Sequence, residues 1–192
     1  MSHRFSIPFL SPLLVLVATG SLLAMESNSR QEKSVLGREV RVRWALSDGR
    51  PGPVQTVATV VKTPSEWLRQ LGKERYEVLR NQGTEPAFCG NLVDHHDSGI
   101  YFCAGCDLPL FTSVFKFNSK TGWPSFFKPF AKENVWERSD TNHGMVRTEI
   151  LCARCGGHLG HVFPDGPPPT GLRYCLNSQA LVFRAYSEIP IK

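Results

Sequence analysis

Apolar positions along the chain fall into three patterns. The first is a run over residues 9–24, preceded by Met-Ser-His-Arg and interrupted by Ser11, Pro12, Thr19, Gly20 and Ser21. It is shorter and more broken than the roughly 20 consecutive apolar residues of a membrane-crossing helix. A basic start, a short apolar stretch and small residues at its end predict a secretory signal peptide over 1–25, cut after Gly20 or Ala24. An uncleaved N-terminal anchor is the alternative. The protein is accordingly expected to be exported, periplasmic or secreted, or held at a membrane by this segment. The second pattern, over 26–62, is polar apart from the alternating Glu39-Val40-Arg41-Val42-Arg43-Trp44, which Gly49, Pro51, Gly52 and Pro53 end. It reads either as a strand with a turn or as a linker with some local order.

The third pattern begins at Thr63-Pro64-Ser65-Glu66. Thr at the cap, Pro at the first helical position and Glu three residues after the cap mark a helix start. Trp67, Leu68 and Leu71 form its apolar face and Gly72 ends it; a second short helix fits 73–80, closed by Asn81-Gln82-Gly83. Beyond Gly83 short apolar runs at 100–102, 108–111, 144–150 and 180–186 are separated by Gly, Pro, Asp and Asn, and no helical period persists. Residues 63–192 are thus predicted to form a mainly β, antiparallel domain with short helices at its N-terminal side.

Composition changes this picture little: 41% hydrophobic and 20% charged residues fit a folded domain. The net charge of +5 matters more for where it lies. Residues 26–80 carry 11 basic and 7 acidic side chains, whereas residues 81–192 carry ten of each. A phosphate-binding face should be basic where the chemistry sits, so no nucleic-acid partner is expected.

The six cysteines carry the chemistry. Cys103-Ala-Gly-Cys106 and Cys152-Ala-Arg-Cys155 are two Cys-x-x-Cys turns, each presenting two sulfurs to one point. Together they make a four-sulfur cage suited to one structural Zn²⁺, a closed shell with no position for substrate. A disulfide framework or redox-active dithiols are the competing readings, and the paired spacing favours the metal. Cys175 follows Arg173 by two residues, so in an extended segment the guanidinium shares its face and favours a thiolate nucleophile. A buried inert cysteine is the alternative. Cys89 is either inert or the thiol that condenses with an oxidised Cys175. His158 and His161 suit acid or base roles, a metal, or plain structure, and these options stay open.

Thr84-Glu85-Pro86 after Gly83, the two Cys-x-x-Cys units, Pro109-Leu110-Phe111, Ser119-Lys120-Thr121-Gly122-Trp123-Pro124-Ser125-Phe126, the block from His158 to Pro167, and Gly171-Leu172-Arg173-Tyr174-Cys175-Leu176-Asn177-Ser178 add up to a family. Residues 63–186, about two thirds of the chain, resemble the methionine-R-sulfoxide reductases, the B-type family. The resemblance implies two antiparallel sheets, a four-cysteine zinc site away from the chemistry, and reduction of free or protein-bound methionine-R-sulfoxide in the repair of oxidative damage. It places the nucleophile at Cys175 and the aromatic that packs on the sulfoxide methyl group at Trp123. His161 then binds or protonates the sulfoxide oxygen, with His158, Asp165, Arg173 and Asn177 around it. Many relatives carry a resolving cysteine where this chain has Thr121; some resolve from the segment of Cys89, so a Cys175–Cys89 disulfide recycled by a thioredoxin-like reductant is expected. The protein is expected to be a monomer. A zinc-ribbon binding module and a disulfide-stapled secreted domain are the other classes, and both leave the Arg173–Ser178 block unused.

Overall fold

The computed structural model describes residues 38–189, so the signal peptide or anchor expected over 1–25, and residues 26–37, lie outside the described residues. The helix start is built as the sequence predicts. Thr63 is extended, its hydroxyl accepts from Glu66 N, and the Glu66 carboxylate accepts from Thr63 N at 2.8 Å. Helix α1 spans Pro64–Asn81 and breaks at Gly72, whose φ of 71° and ψ of 171° are non-helical. Only glycine takes this conformation without strain, so the break falls at the one residue that tolerates it. Trp67, Leu71, Val78 and Leu79 are buried.

The stretch over 38–62, before this helix, contains an antiparallel hairpin, β1 (Glu39–Ala45) and β2 (Pro51–Ala58), so the strand-and-turn reading holds there. Val40 and Val42 enter the core while Glu39 and Arg41 face outward. The buried Asn134 side chain fastens the hairpin by accepting from Arg43 N and donating to Arg43 O, both at 2.8 Å, and to Pro109 O at 2.7 Å. This hairpin is a third sheet, beside the two that the resemblance implies, and the domain's ordered part begins before residue 63.

The remaining strands are β3 (Gly99–Cys103), β4 (Pro109–Thr112), β5 (Lys116–Phe117), β6 (Ser125–Phe126), β7 (Val135–Asp140), β8 (Arg147–Cys152), β9 (His158–Phe163), β10 (Arg173–Leu176) and β11 (Leu181–Ala185). They form a six-stranded antiparallel sheet in the order β5-β6-β10-β9-β8-β7 and a three-stranded one, β11-β3-β4. An aromatic seam joins these sheets. Phe111 lies 4.7 Å from Phe126 and 5.7 Å from Tyr174, and Tyr101 lies 5.0 Å from Phe126, ring centre to ring centre. Such offset and edge contacts add directional preference to the burial of large apolar rings.

Candidate active site

Strand β10 shows how the fold exposes its cysteine. Tyr174 and Leu176 are buried in the seam, so the two-residue period turns Arg173 and Cys175 to the opposite face. Antiparallel pairing then sets a row of side chains across the sheet: Ser125 opposite Cys175, Cys175 opposite His161, His161 opposite Glu149, and Glu149 opposite Arg138. Directly paired residues share a face, which brings the functional groups of neighbouring strands together. Gly160 makes the central pairing possible. Its φ is +153°, and a Cβ there would lie 2.1 Å from the Cys175 carbonyl oxygen.

Each histidine of the β9 block is held by a carboxylate. The His158 Nδ1 lies 2.7 Å from Glu149 Oε1, and Glu149 Oε2 also accepts from Arg138 Nη2 at 2.7 Å. The His161 Nε2 lies 2.8 Å from Asp140 Oδ2, which accepts from Arg147 Nη2 at 2.7 Å, while Asp140 Oδ1 accepts from Asn142 N at 2.9 Å. Burial alone would raise the Asp140 pKa, but these three donors outweigh it and pull the group down to about 2. Glu149 is lowered in the same way, with His158 and Arg138 overcoming its burial. For His161 the balance reverses: burial lowers its pKa below the ordinary histidine value, against the opposing pull of Asp140. An ionised Asp140 accepts from Nε2, so the ring proton is assigned to Nε2 and Nδ1 keeps a lone pair.

Cys175 is a half-buried free thiol in an open cavity of about 230 Å³, whose walls include Trp123, His161, Phe163, Thr84 and Asn177. Burial raises its pKa, opposed by Arg173, Thr121 and Ser125. The Thr121 hydroxyl lies 3.9 Å from Sγ and is joined to Ser119 at 2.8 Å, which in turn meets Ser125 at 2.7 Å. Arg173 is fixed by a fork to Asp165, at 2.9 and 2.8 Å, and its guanidinium stacks 4.4 Å from the Phe163 ring centre. Burial thus favours the neutral form of both the thiol and the imidazole, and at Cys175 the Arg173 guanidinium opposes it.

The residues singled out in the sequence divide accordingly. Cys175, His161, Trp123 and Asn177 line one cavity. His158 is buried, its ring centre 5.5 Å from that of His161, and Asp165 holds Arg173. Cys89 is an exposed free thiol one residue after Phe88, whose N–H donates to Gly122 O at 2.8 Å. Its loop therefore neighbours Thr121 and Trp123, while Cys89 and Cys175 are not bonded. The carboxylates Asp140 and Glu149, with Arg147 and Arg138, carry no signal in the sequence. Acidic residues in Glu-Arg-Ser-Asp and Arg-Thr-Glu runs look like any solvated strand, and only the β7–β8–β9 register reveals them.

The remaining cysteines, Cys103, Cys106, Cys152 and Cys155, are all buried, with their sulfurs within 4.8 Å of one another. Cys103 and Cys155 sulfurs lie 3.6 Å apart and those of Cys106 and Cys152 3.4 Å apart. A tetrahedron with Zn–S bonds of about 2.3 Å has edges of roughly 3.8 Å, so this donor set fits a four-coordinate soft-ligand metal. Side chains brace the knuckle backbones: Gln70 donates to Gly105 O, Arg154 to Cys106 O and Arg80 to Cys155 O, at 2.8 to 2.9 Å. The second knuckle is the turn between β8 and β9, so it fixes the strands that carry Glu149, His158 and His161.

Among known proteins, the SelR domain model matches residues 71–185. The chain is 61% identical over 122 residues to the peptide methionine sulfoxide reductase MsrB of Thiobacillus denitrificans, covering 64% of this chain and 92% of that protein. It is 55% identical over 128 residues to the MsrB of Agrobacterium fabrum, covering 67% and 95%, and 54% identical over 123 residues to that of Pseudomonas putida, covering 64% and 92%. The hairpin β1–β2 precedes the matched segment.

Proposed function

The chain belongs to the SelR family, the methionine-R-sulfoxide reductases, and from that premise we propose that it performs the reaction through Cys175, with His161 as its proton carrier. It is an oxidoreductase that reduces methionine sulfoxide. The observation that carries the mechanism is the cross-strand pair Cys175–His161 in a cavity walled by Trp123. The Trp123 ring packs on the apolar methyl side of the sulfoxide and leaves its sulfur facing Cys175. The thiol passes its proton to His161 Nδ1, and the thiolate attacks the sulfoxide sulfur. The imidazolium returns the proton to the sulfoxide oxygen, which makes that oxygen a leaving group. The substrate S–O bond breaks, hydroxyl ends on the Cys175 sulfur, and methionine departs. Two electrons have passed from Cys175 to the substrate, and the thiol's own proton balances the step.

The sulfenic acid on Cys175 is then attacked by Cys89. The S–O bond breaks, the oxygen leaves as water with the Cys89 proton, and a Cys175–Cys89 disulfide remains. A thioredoxin-like dithiol reduces this disulfide by exchange. The closeness of the Cys89 loop to Gly122 supports this pairing. Zn²⁺ at the four knuckle cysteines is structural in this reading, cross-linking the strands that carry the histidines. Substrates are oxidised proteins or peptides, the working form is a monomer, and nucleic acid is not a partner. Residues 1–25 direct export or anchor the chain, an assignment that rests on their sequence pattern.

Incubating the reduced full chain with equimolar methionine-R-sulfoxide peptide, without reductant, tests the pathway. One methionine per chain and a mapped Cys89–Cys175 disulfide are expected, with Cys89→Ser leaving a dimedone-reactive sulfenic acid. A wild-type chain that stops at the sulfenic acid would assign resolution to external thiols instead.

A further inference from the structure

Glu85 sits in Gly83-Thr84-Glu85-Pro86, outside the cavity wall, and makes four hydrogen bonds. Its N–H donates to Asn177 Oδ1 at 3.0 Å. Its carboxyl oxygens accept from Ser178 N at 2.6 Å and Gln179 N at 3.0 Å. Its carbonyl oxygen accepts from Trp123 Nε1 at 3.0 Å. The following Pro86 restrains Glu85 to an extended backbone, which suits a residue bonded in both directions. Glu85 is 8% exposed. The loop closes over it so tightly that a Cβ at Gly90 would lie 2.6 Å from Glu85 Oε1.

From this geometry we propose that Glu85 is a positioning residue that sets the Trp123 ring in register with the strand carrying Cys175. Its side chain is anchored to backbone three and four residues beyond the nucleophile, and its N–H to the residue two beyond. Asn177 is in turn locked by donating from N and Nδ2 to Leu159 O, at 2.9 and 3.2 Å. The indole N–H therefore takes its reference from the nucleophile's own segment, through one residue. The backbone beside Trp123 is tied to the same strand, Leu176 N donating to Pro124 O at 3.0 Å, but the half-exposed indole reaches across to Glu85 O, so its orientation is set there. The separation of the aromatic wall from Cys175 thus depends on Glu85, as does the fit of the sulfoxide methyl group. This role rests on the reading of Trp123 as that wall.

The test is Glu85→Gln in the full chain. Glutamine keeps the shape but offers one oxygen and one NH₂, so one of the two backbone N–H groups meets a donor. Loss of a buried acceptor of this kind is expected to raise KM for a methionine-R-sulfoxide peptide about tenfold, with a smaller change in kcat. The Trp123 indole N–H should exchange with solvent at least about tenfold faster. Alkylation of Cys175 by iodoacetamide, which makes no use of Trp123, should keep its wild-type rate. In a Trp123→Phe background, which has no indole N–H, Glu85→Gln should add little further to KM, the coupling expected of residues acting as one unit. Wild-type indole exchange and KM in Glu85→Gln would overturn the proposal. So would a fall in Cys175 alkylation that matches the loss of turnover, since that marks general loosening. A wild-type chain that turns over neither epimer overturns the functional reading instead, and the indole exchange still decides the link between Glu85 and Trp123.

Discussion

Replacing Asp140 by Asn isolates the proton carrier from the rest of the site. Asp140 takes three donors: Asn142 N on Oδ1, and both Arg147 Nη2 and His161 Nε2 on Oδ2. An Asn that keeps its oxygen toward Asn142 N puts its NH₂ toward Arg147 and His161. The imidazole responds by accepting at Nε2, which moves its proton to Nδ1 and removes the lone pair proposed above to take the thiol proton. Lost general acid–base catalysis of this kind costs about 10²–10⁴ in rate. The lost charge-assisted bonds cost about 1.5–3 kcal/mol in stability. The stability difference has a defined pH window. Asp140 has a folded pKa of about 2 against an ordinary value of 3.8, so it stabilises the fold fully above about pH 4 and loses that effect as pH falls through 2. The gap between wild type and Asp140→Asn should close over that range. The assay is a quenched single turnover with the R-sulfoxide peptide, alongside ¹⁵N chemical shifts of the His161 ring. A variant whose ring has changed tautomer yet turns over at the wild-type rate would refute the use of Nδ1.

Two further outcomes follow from the electrostatics and the knuckles. Arg173→Ala removes a group that opposes the burial-raised Cys175 pKa, so the pH profile of iodoacetamide alkylation should move to higher pH. A displacement of the profile by about one pH unit would leave roughly tenfold less thiolate at neutral pH; an unmoved profile would exclude Arg173 as the activator. Arg154 donates to Cys106 O and stacks 5.3 Å from the Trp44 ring of the hairpin. One zinc per chain is expected by a metal-binding dye, and Arg154→Ala should release it to a chelator about tenfold faster, the scale of other outer-shell contacts. A native chain with no bound metal and four titratable knuckle thiols would contradict the structural ion.

What the sequence discloses depends on how local the physics is. The α1 start is legible because its cap, Pro64 and Glu66 act within four residues, and Gly72 marks its break by a backbone conformation only glycine takes readily. Cys-x-x-Cys turns are legible for the same reason. The hairpin is ambiguous, since part of what fastens the Glu39–Trp44 alternation to the domain comes from Asn134, some 90 residues away. Asp140 and Glu149 are invisible because their roles arise from strand register, which no local signal encodes. Glu85 belongs to a recognisable motif, but its four partners come from residues 123 and 177–179.

The most direct measurement of the central claim is single-turnover reduction of the R and S epimers of a methionine sulfoxide peptide by the full chain, wild type and Cys175→Ser, with dithiothreitol present. Methionine should form from the R epimer alone and only with Cys175 intact. Turnover that survives in Cys175→Ser, or a folded, metal-loaded wild-type chain that leaves the R epimer untouched, would contradict Cys175 as the nucleophile of this reaction.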